Sequence, residues 1–144
     1  MLVFEDMNQP DWTFLISTNE RFLVVSAKYS TMKKHQVFYA DLENEKNRDI
    51  NNQLEFKPLV KERSNTFKFI HNVGDKLYFY TRYKSKKMRI LTFDISKPIG
   101  ENWEPFLARE EKMDLASRVN NDKLLLQFTN SSMDWFELLD FNSN

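Results

Sequence analysis

Apolar side chains in this chain cluster in short runs that fill successive positions. Phe22-Leu23-Val24-Val25 and Leu77-Tyr78-Phe79-Tyr80 are the clearest cases. Neighbouring side chains on a strand point to opposite sides, so such runs predict strands buried on both faces. A lone sheet with one wet face shows polar residues at every second position instead. A turn precedes each run, in Asn19-Glu20-Arg21, Gly74-Asp75-Lys76 and Asn121-Asp122-Lys123, led by residues that tolerate positive φ. An aspartate closes the next apolar strand at Asp41, Asp94 and Asp140, which lie 22, 20 and 19 residues after Asn19, Gly74 and Asn121.

Phe56-Lys57-Pro58-Leu59-Val60 and Trp103-Glu104-Pro105-Phe106-Leu107 read as one strand written twice, with the prolines 47 residues apart. Proline cannot donate to a ladder, so each marks an edge strand. The repeating unit is strand, tight turn, strand, loop, strand, loop, proline edge strand. The first unit takes Thr13 to Ser17, Arg21 to Ala27, His35 to Leu42 and Glu55 to Val60. The second takes Thr66 to Asn72, Lys76 to Arg82, Met88 to Ile95 and Trp103 to Leu107. The third takes Leu115 to Val119, Lys123 to Thr129 and Trp135 to Phe141, with no edge strand. Phe22, Val24, Leu77, Phe79, Leu124 and Leu126 are expected at equivalent buried positions. The predicted fold class is all-β, about three consecutive four-stranded blades of an incomplete β-propeller. Residues 1–10 form the end of a preceding blade, with a strand at Leu2 to Phe4. Blades follow at 11–62 and 63–110, and a truncated one at 111–144.

Composition narrows the function. Twenty-one basic and 21 acidic side chains cancel, which argues against nucleic acid or an anionic membrane as the main partner. No apolar run approaches a membrane span, and Leu2-Val3-Phe4 is too short for a signal peptide. The absence of cysteine fits a reducing compartment, so a cytoplasmic location is expected. With only Gly74 and Gly100, no phosphate-cradling loop, dinucleotide fingerprint or G-x-S-x-G elbow can be written. Two histidines leave no histidine-cysteine metal cluster. His35 and His71 sit in predicted strands and read as packing or hydrogen-bonded groups. Arg82, Lys84, Lys86, Lys87 and Arg89 suggest either a phosphate-binding hairpin or a solvated loop, and the solvated loop is the simpler reading. Glu110, Glu111 and Asp114 form a small acidic counterpart. Asn130-Ser131-Ser132 is a glycosylation sequon read as accidental. No catalytic, cofactor-binding or metal-ligating residue is assigned.

The stretch Ile70-His71-Asn72-Val73-Gly74-Asp75-Lys76-Leu77-Tyr78-Phe79, followed by Asp94, Asn102-Trp103 and Glu110, resembles the propeller of the prolyl oligopeptidase family. Val3-Phe4-Glu5-Asp6 leading to Pro10-Asp11-Trp12, with Val37-Phe38-Tyr39-Ala40-Asp41-Leu42, resembles the preceding blade. The marks of Trp-Asp repeats and the paired glycines of kelch repeats are absent. The first turn lacks the family's Asp-Gly, and the loop at Arg82 to Arg89 is shorter and more basic, both in loops. The resemblance implies a segment of a seven-bladed propeller that caps an α/β-hydrolase domain and restricts its active site to short proline-containing peptides. The family's catalytic Ser, Asp and His have no counterpart here, so the chain by itself is expected to be inactive. A free-standing interaction scaffold is the alternative. An up-and-down barrel holding an apolar ligand is a third reading, against which the double-sided apolar runs stand.

Overall fold

The structure is a computed structural model that describes residues 12–29, 34–44, 47, 49, 51, 53–63, 66–98 and 102–142. The strand expected at Leu2 to Phe4 lies outside the described residues. Among the described residues eleven strands are formed: β1 Trp12–Thr18, β2 Phe22–Tyr29, β3 Lys34–Asp41, β4 Lys57–Arg63, β5 Phe67–Val73, β6 Lys76–Thr81, β7 Arg89–Asp94, β8 Trp103–Leu107, β9 Lys112–Arg118, β10 Lys123–Thr129 and β11 Asp134–Asp140. They make three antiparallel sheets, ordered β1-β2-β3-β4, β5-β6-β7-β8 and β11-β10-β9. None of the three closes on itself, which overturns the barrel reading. Pro58 and Pro105 sit in β4 and β8, each the last strand of its sheet, where a missing N–H leaves the inner ladder intact.

Two compact units are present, Met1–Asn65 and Thr66–Asn144. In the first, Phe22, Val24, Val25 and Ala27 of β2 are buried with Val37, Tyr39 and Ala40 of β3, and Phe22 meets Tyr39 edge-on at 6.1 Å. The second holds two sheets packed face to face. Tyr78 and Ile90 of one sheet pack against Met113, Ala116, Leu124, Leu126, Phe128 and Phe141 of the other. Burying each large side chain here contributes about 1.5–3 kcal/mol relative to leaving it in water. Polar contacts fix the register of the packing. Tyr80 Oη donates to the Met113 carbonyl at 2.5 Å and Lys68 Nζ to the Ala116 carbonyl at 3.3 Å.

Leu77, Tyr78 and Phe79 are all buried, as their unbroken apolar run predicts. The face opposite Tyr78 carries an aromatic cluster in which Phe67, Phe79 and Phe93 surround Trp103, with ring centroids 4.9 to 5.6 Å from it. A bulge between Phe69 and His71 resets the alternation of β5 and brings His71 to the Tyr78 side. In β10 only alternate residues are buried. Leu115, Leu125, Phe136 and Leu138 share its other face by register, and Phe136 and Leu138 are 64% and 59% exposed.

The sequence-predicted frame of the first unit is one residue out. Asp94 and Asp140 stand opposite Lys76 and Lys123, but Asp41 stands opposite Phe22. The backbone agrees, because Leu42 N, Ile95 N and Phe141 N donate to the carbonyls of Arg21, Asp75 and Asp122. Leu23 and Val25 are therefore the counterparts of Leu77 and Phe79, in place of Phe22 and Val24. Asn19 corresponds to Asn120, not Asn121: its Oδ1 accepts Arg21 N and Phe22 N, as Asn120 Oδ1 accepts Asp122 N and Lys123 N. Matching asparagine by letter hid the shift. Strand β9 also begins at Lys112, ahead of the predicted Leu115, because Met113 is buried between polar neighbours.

The repeated aspartate has one structural job in all three sheets. Asp41, Asp94 and Asp140 each accept through Oδ1 the backbone N–H two residues on, from Glu43, Ser96 and Asn142 at 2.8–3.0 Å. This Asx turn ends the third strand. Arg21 pairs with Asp41 and Lys123 with Asp140, each at 2.9 Å, whereas Asp94 takes the Ser96 hydroxyl at 2.6 Å. Partial burial pushes the Asp41 carboxyl up, but Arg21 and the Glu43 N–H outweigh it and hold it below the usual range. The Ser96 hydroxyl and N–H hold Asp94 low, and the Asn142 N–H and Lys123 hold Asp140 low.

These depressed values set the acid response. Carboxylates held low stabilise the fold above the unfolded value of about 3.9, and that stability is lost as pH falls through the folded values. Unfolding monitored by tryptophan fluorescence is expected to shift to lower urea as pH drops below about 4. Asp94→Ala removes two hydrogen bonds from a residue 8% exposed and is expected to cost about 1–3 kcal/mol at pH 7. Asp94→Asn retains an acceptor and should cost less while flattening the acid slope; a loss equal to that of Asp94→Ala would contradict the Asx-turn account. The open face of the third sheet generates a second expectation. Exposed Phe136 and Leu138 should drive association at micromolar concentration, and Phe136→Lys with Leu138→Lys should return the chain toward monomer mass on size exclusion. A monomeric parent chain would contradict this.

Candidate functional site

His71 is buried, and its ring packs on Phe141 at 5.5 Å between centroids. Arg118 Nη1 donates to its Nδ1 across 3.2 Å. This tethers one sheet of the second unit to the other, so the histidine is engaged in packing. The His35 side chain lies outside the described residues. Among the described residues no group of three or more His, Cys, Asp or Glu side chains is gathered as a metal site, and no helix is long and apolar enough to cross a membrane. Asn130 of the sequon turns inward on its own backbone, its Oδ1 accepting Ser132 N at 2.8 Å and Met133 N at 3.0 Å in the β10–β11 turn.

Two concave regions among the described residues of the second unit bear on function. The larger, of about 590 Å3, runs along β8 beside β11, with Glu104, Pro105, Phe106 and Leu107 on one side, Leu139 on the other, and Tyr78 and Thr92 also lining it. Of its charged lining, Glu104 takes Lys97 and Arg109 pairs with Glu137 at 2.9 Å, while Lys76 stands at the exposed start of β6. The result is a trough of mixed polar and apolar lining along a sheet edge, with no nucleophile and base aimed at a common point among the described residues. Such a trough suits packing against another chain segment and not bond making. Burial pushes the Tyr78 and Tyr80 phenols up, which keeps Tyr80 protonated as a donor to Met113.

The smaller, of about 300 Å3, lies between the β6–β7 hairpin and the segment entering β9. The basic run forms one wall of it. Arg89 turns away, its guanidinium donating to the carbonyls of Tyr83 and Lys84, and Lys84 lies over the Tyr83 ring with a positive φ of 53°. The acidic residues divide as well: Glu110 meets Lys87, while Asp114 pairs with Lys112 and accepts the Thr129 hydroxyl.

Comparison with known proteins finds the same architecture. The family model for the prolyl oligopeptidase N-terminal β-propeller domain matches residues 1–143. Prolyl oligopeptidase ophP of Omphalotus olearius is 26% identical over 147 residues, an alignment covering 99% of this chain and 19% of that protein. Prolyl oligopeptidase A of Amanita bisporigera is 28% identical over 134 residues, covering 89% and 17%. Among solved structures, prolyl oligopeptidase B from Galerina marginata in its apo form superimposes with a TM-score of 0.81 at 21% identity, over 97% of this chain and 20% of that one. The same protein bound to a 35mer hydrolysis and macrocyclization substrate gives 0.82. The chain thus spans about a fifth of the length of these relatives. Three antiparallel sheets with Asx-turn aspartates, proline edge strands and a match over residues 1–143 place this chain in the prolyl oligopeptidase N-terminal β-propeller family.

Proposed function

We propose that the chain is part of the non-catalytic, substrate-gating propeller of a prolyl oligopeptidase-like serine peptidase that cleaves peptides after proline in the cytoplasm. Its partner is the α/β-hydrolase domain of the parent protein, and its blades run at 11–62, 63–110 and 111–144. The observation that carries this reading is the family match over residues 1–143, on sheets that already stack as blades within the second unit.

Packed sheets resist deformation, so a ring of them admits by size and conformation and contributes no bond making. The Galerina marginata relative holds a 35mer. A gate of this kind therefore passes flexible peptides of that order and excludes folded proteins. On this reading the chemistry belongs to the hydrolase partner, which fits a sequence that carries no G-x-S-x-G.

The purified chain is expected to give no turnover of a Gly-Pro reporter peptide, and its transcript to read on past codon 144 into a G-x-S-x-G segment. Proline-specific cleavage blocked by a serine-directed inhibitor would overturn the non-catalytic assignment. A stop codon directly after Asn144 in the mature transcript would overturn the parent-peptidase assignment in favour of a free-standing scaffold.

A further inference from the structure

The basic hairpin between β6 and β7 is exposed at Arg82, Lys84, Lys86 and Lys87, as a solvated loop would be, and it also borders a cleft. Arg82, Lys86 and Lys87 face Lys112 across the 300 Å3 cleft, and Met88 and Met113 give it an apolar lining. The carbonyl of Met113 is held by Tyr80 Oη, and the hairpin is latched to the opposite wall by Lys87, whose Nζ donates to the Glu110 carbonyl at 2.6 Å. These two bonds connect β6 and its hairpin to the segment entering β9 across the cleft.

Its charges are unbalanced. The lining holds four cations and one carboxylate, Glu110. Lys87 is engaged with Glu110 and Lys112 with Asp114, while Arg82 and Lys86 make no ion pair among the described residues. Long basic side chains lay their aliphatic stems on apolar surface and keep their charged ends at the rim, and thioethers adapt to irregular ligand shapes. The volume lies at the lower end of the ~300–1,000 Å3 typical of small-molecule sites. That suits a short alkyl body and is too small for a folded partner.

We propose that this cleft binds a small anionic amphiphile, a carboxylate carried on a short alkyl chain, with the chain between Met88 and Met113 and the carboxylate between Arg82 and Lys86. A guanidinium fork matches a carboxylate in two parallel hydrogen bonds, and the neighbouring ammonium adds a point charge. Neither the charge alone nor the apolar lining alone accounts for selectivity. A simple anion lacks the contacts with the methionines, and a neutral alcohol lacks a partner for the two free cations.

The test uses the full chain labelled with 13C at the ε-methyl groups of its six methionines, assigned by single Met→Leu substitutions and titrated with octanoate, octanol and inorganic phosphate. Octanoate is expected to shift the Met88 and Met113 signals saturably while leaving the others in place. Octanol should bind at least tenfold more weakly, and phosphate should leave both signals unmoved. Arg82→Gln with Lys86→Gln should weaken octanoate at least tenfold with the urea midpoint unchanged, since both side chains are exposed. Met88→Ala should weaken it independently. Uniform shifts at all six methionines, octanol as tight as octanoate, phosphate binding of equal strength, or full affinity in the double glutamine variant would each overturn the proposal.

Discussion

The packing of the second unit depends on one requirement, that β6 be buried on both faces. Leu77 and Phe79 point one way and Tyr78 the other, and all three are withdrawn from water. A single sheet cannot do this, since it has only one neighbouring layer to offer each face and here supplies none itself. The third sheet meets half of the demand by laying Leu124, Leu126 and Phe128 against Tyr78 and Ile90. Its own outer face, with Leu115, Leu125, Phe136 and Leu138, carries the same requirement forward. Repetition is a consequence of that chemistry, because each layer added creates the next surface to be covered.

The polar marks of the repeat serve this stacking by ending strands on time. An aspartate that turns back on its own backbone stops the third strand in every sheet, and a basic residue beside it compensates the charge in two of the three. Between the stacked sheets the polar contacts are few and directional. Tyr80, Lys68 and Arg118 each reach across to a carbonyl or a ring nitrogen. Burial supplies the stability, and these bonds select one sliding position out of several that an apolar interface would tolerate.

In the second unit the side chains that could do chemistry are engaged in packing. Histidine, the side chain best suited to proton transfer near neutral pH, is spent at position 71 on packing against Phe141 and accepting from Arg118. The cations that gather at the β6–β7 hairpin stand apart from it, over methionines, where a small amphiphile finds both of its halves matched.

Strand identity among the described residues, strand order within each sheet, the proline edges and an aspartate closing each third strand were legible in the sequence, because they rest on local rules of side-chain alternation and the missing proline N–H; the turn each carboxylate makes with the N–H two residues on came from the structure. The resemblance to the prolyl oligopeptidase propeller was legible for the same reason, in the contiguous run from Ile70 to Phe79. The register of the first unit was not, since Asn19 and Asn121 match as letters while the backbone pairs Asn19 with Asn120. Nor was the start of β9, where burial of Met113 overrides its polar neighbours. The cleft was equally hidden. Arg82 and Lys86 look like loop solubility in one dimension, and only stacking of the second and third sheets brings Met113 and Lys112 opposite them. Local chemistry is written along the chain, whereas what faces what across two sheets depends on long-range packing that no window of sequence contains.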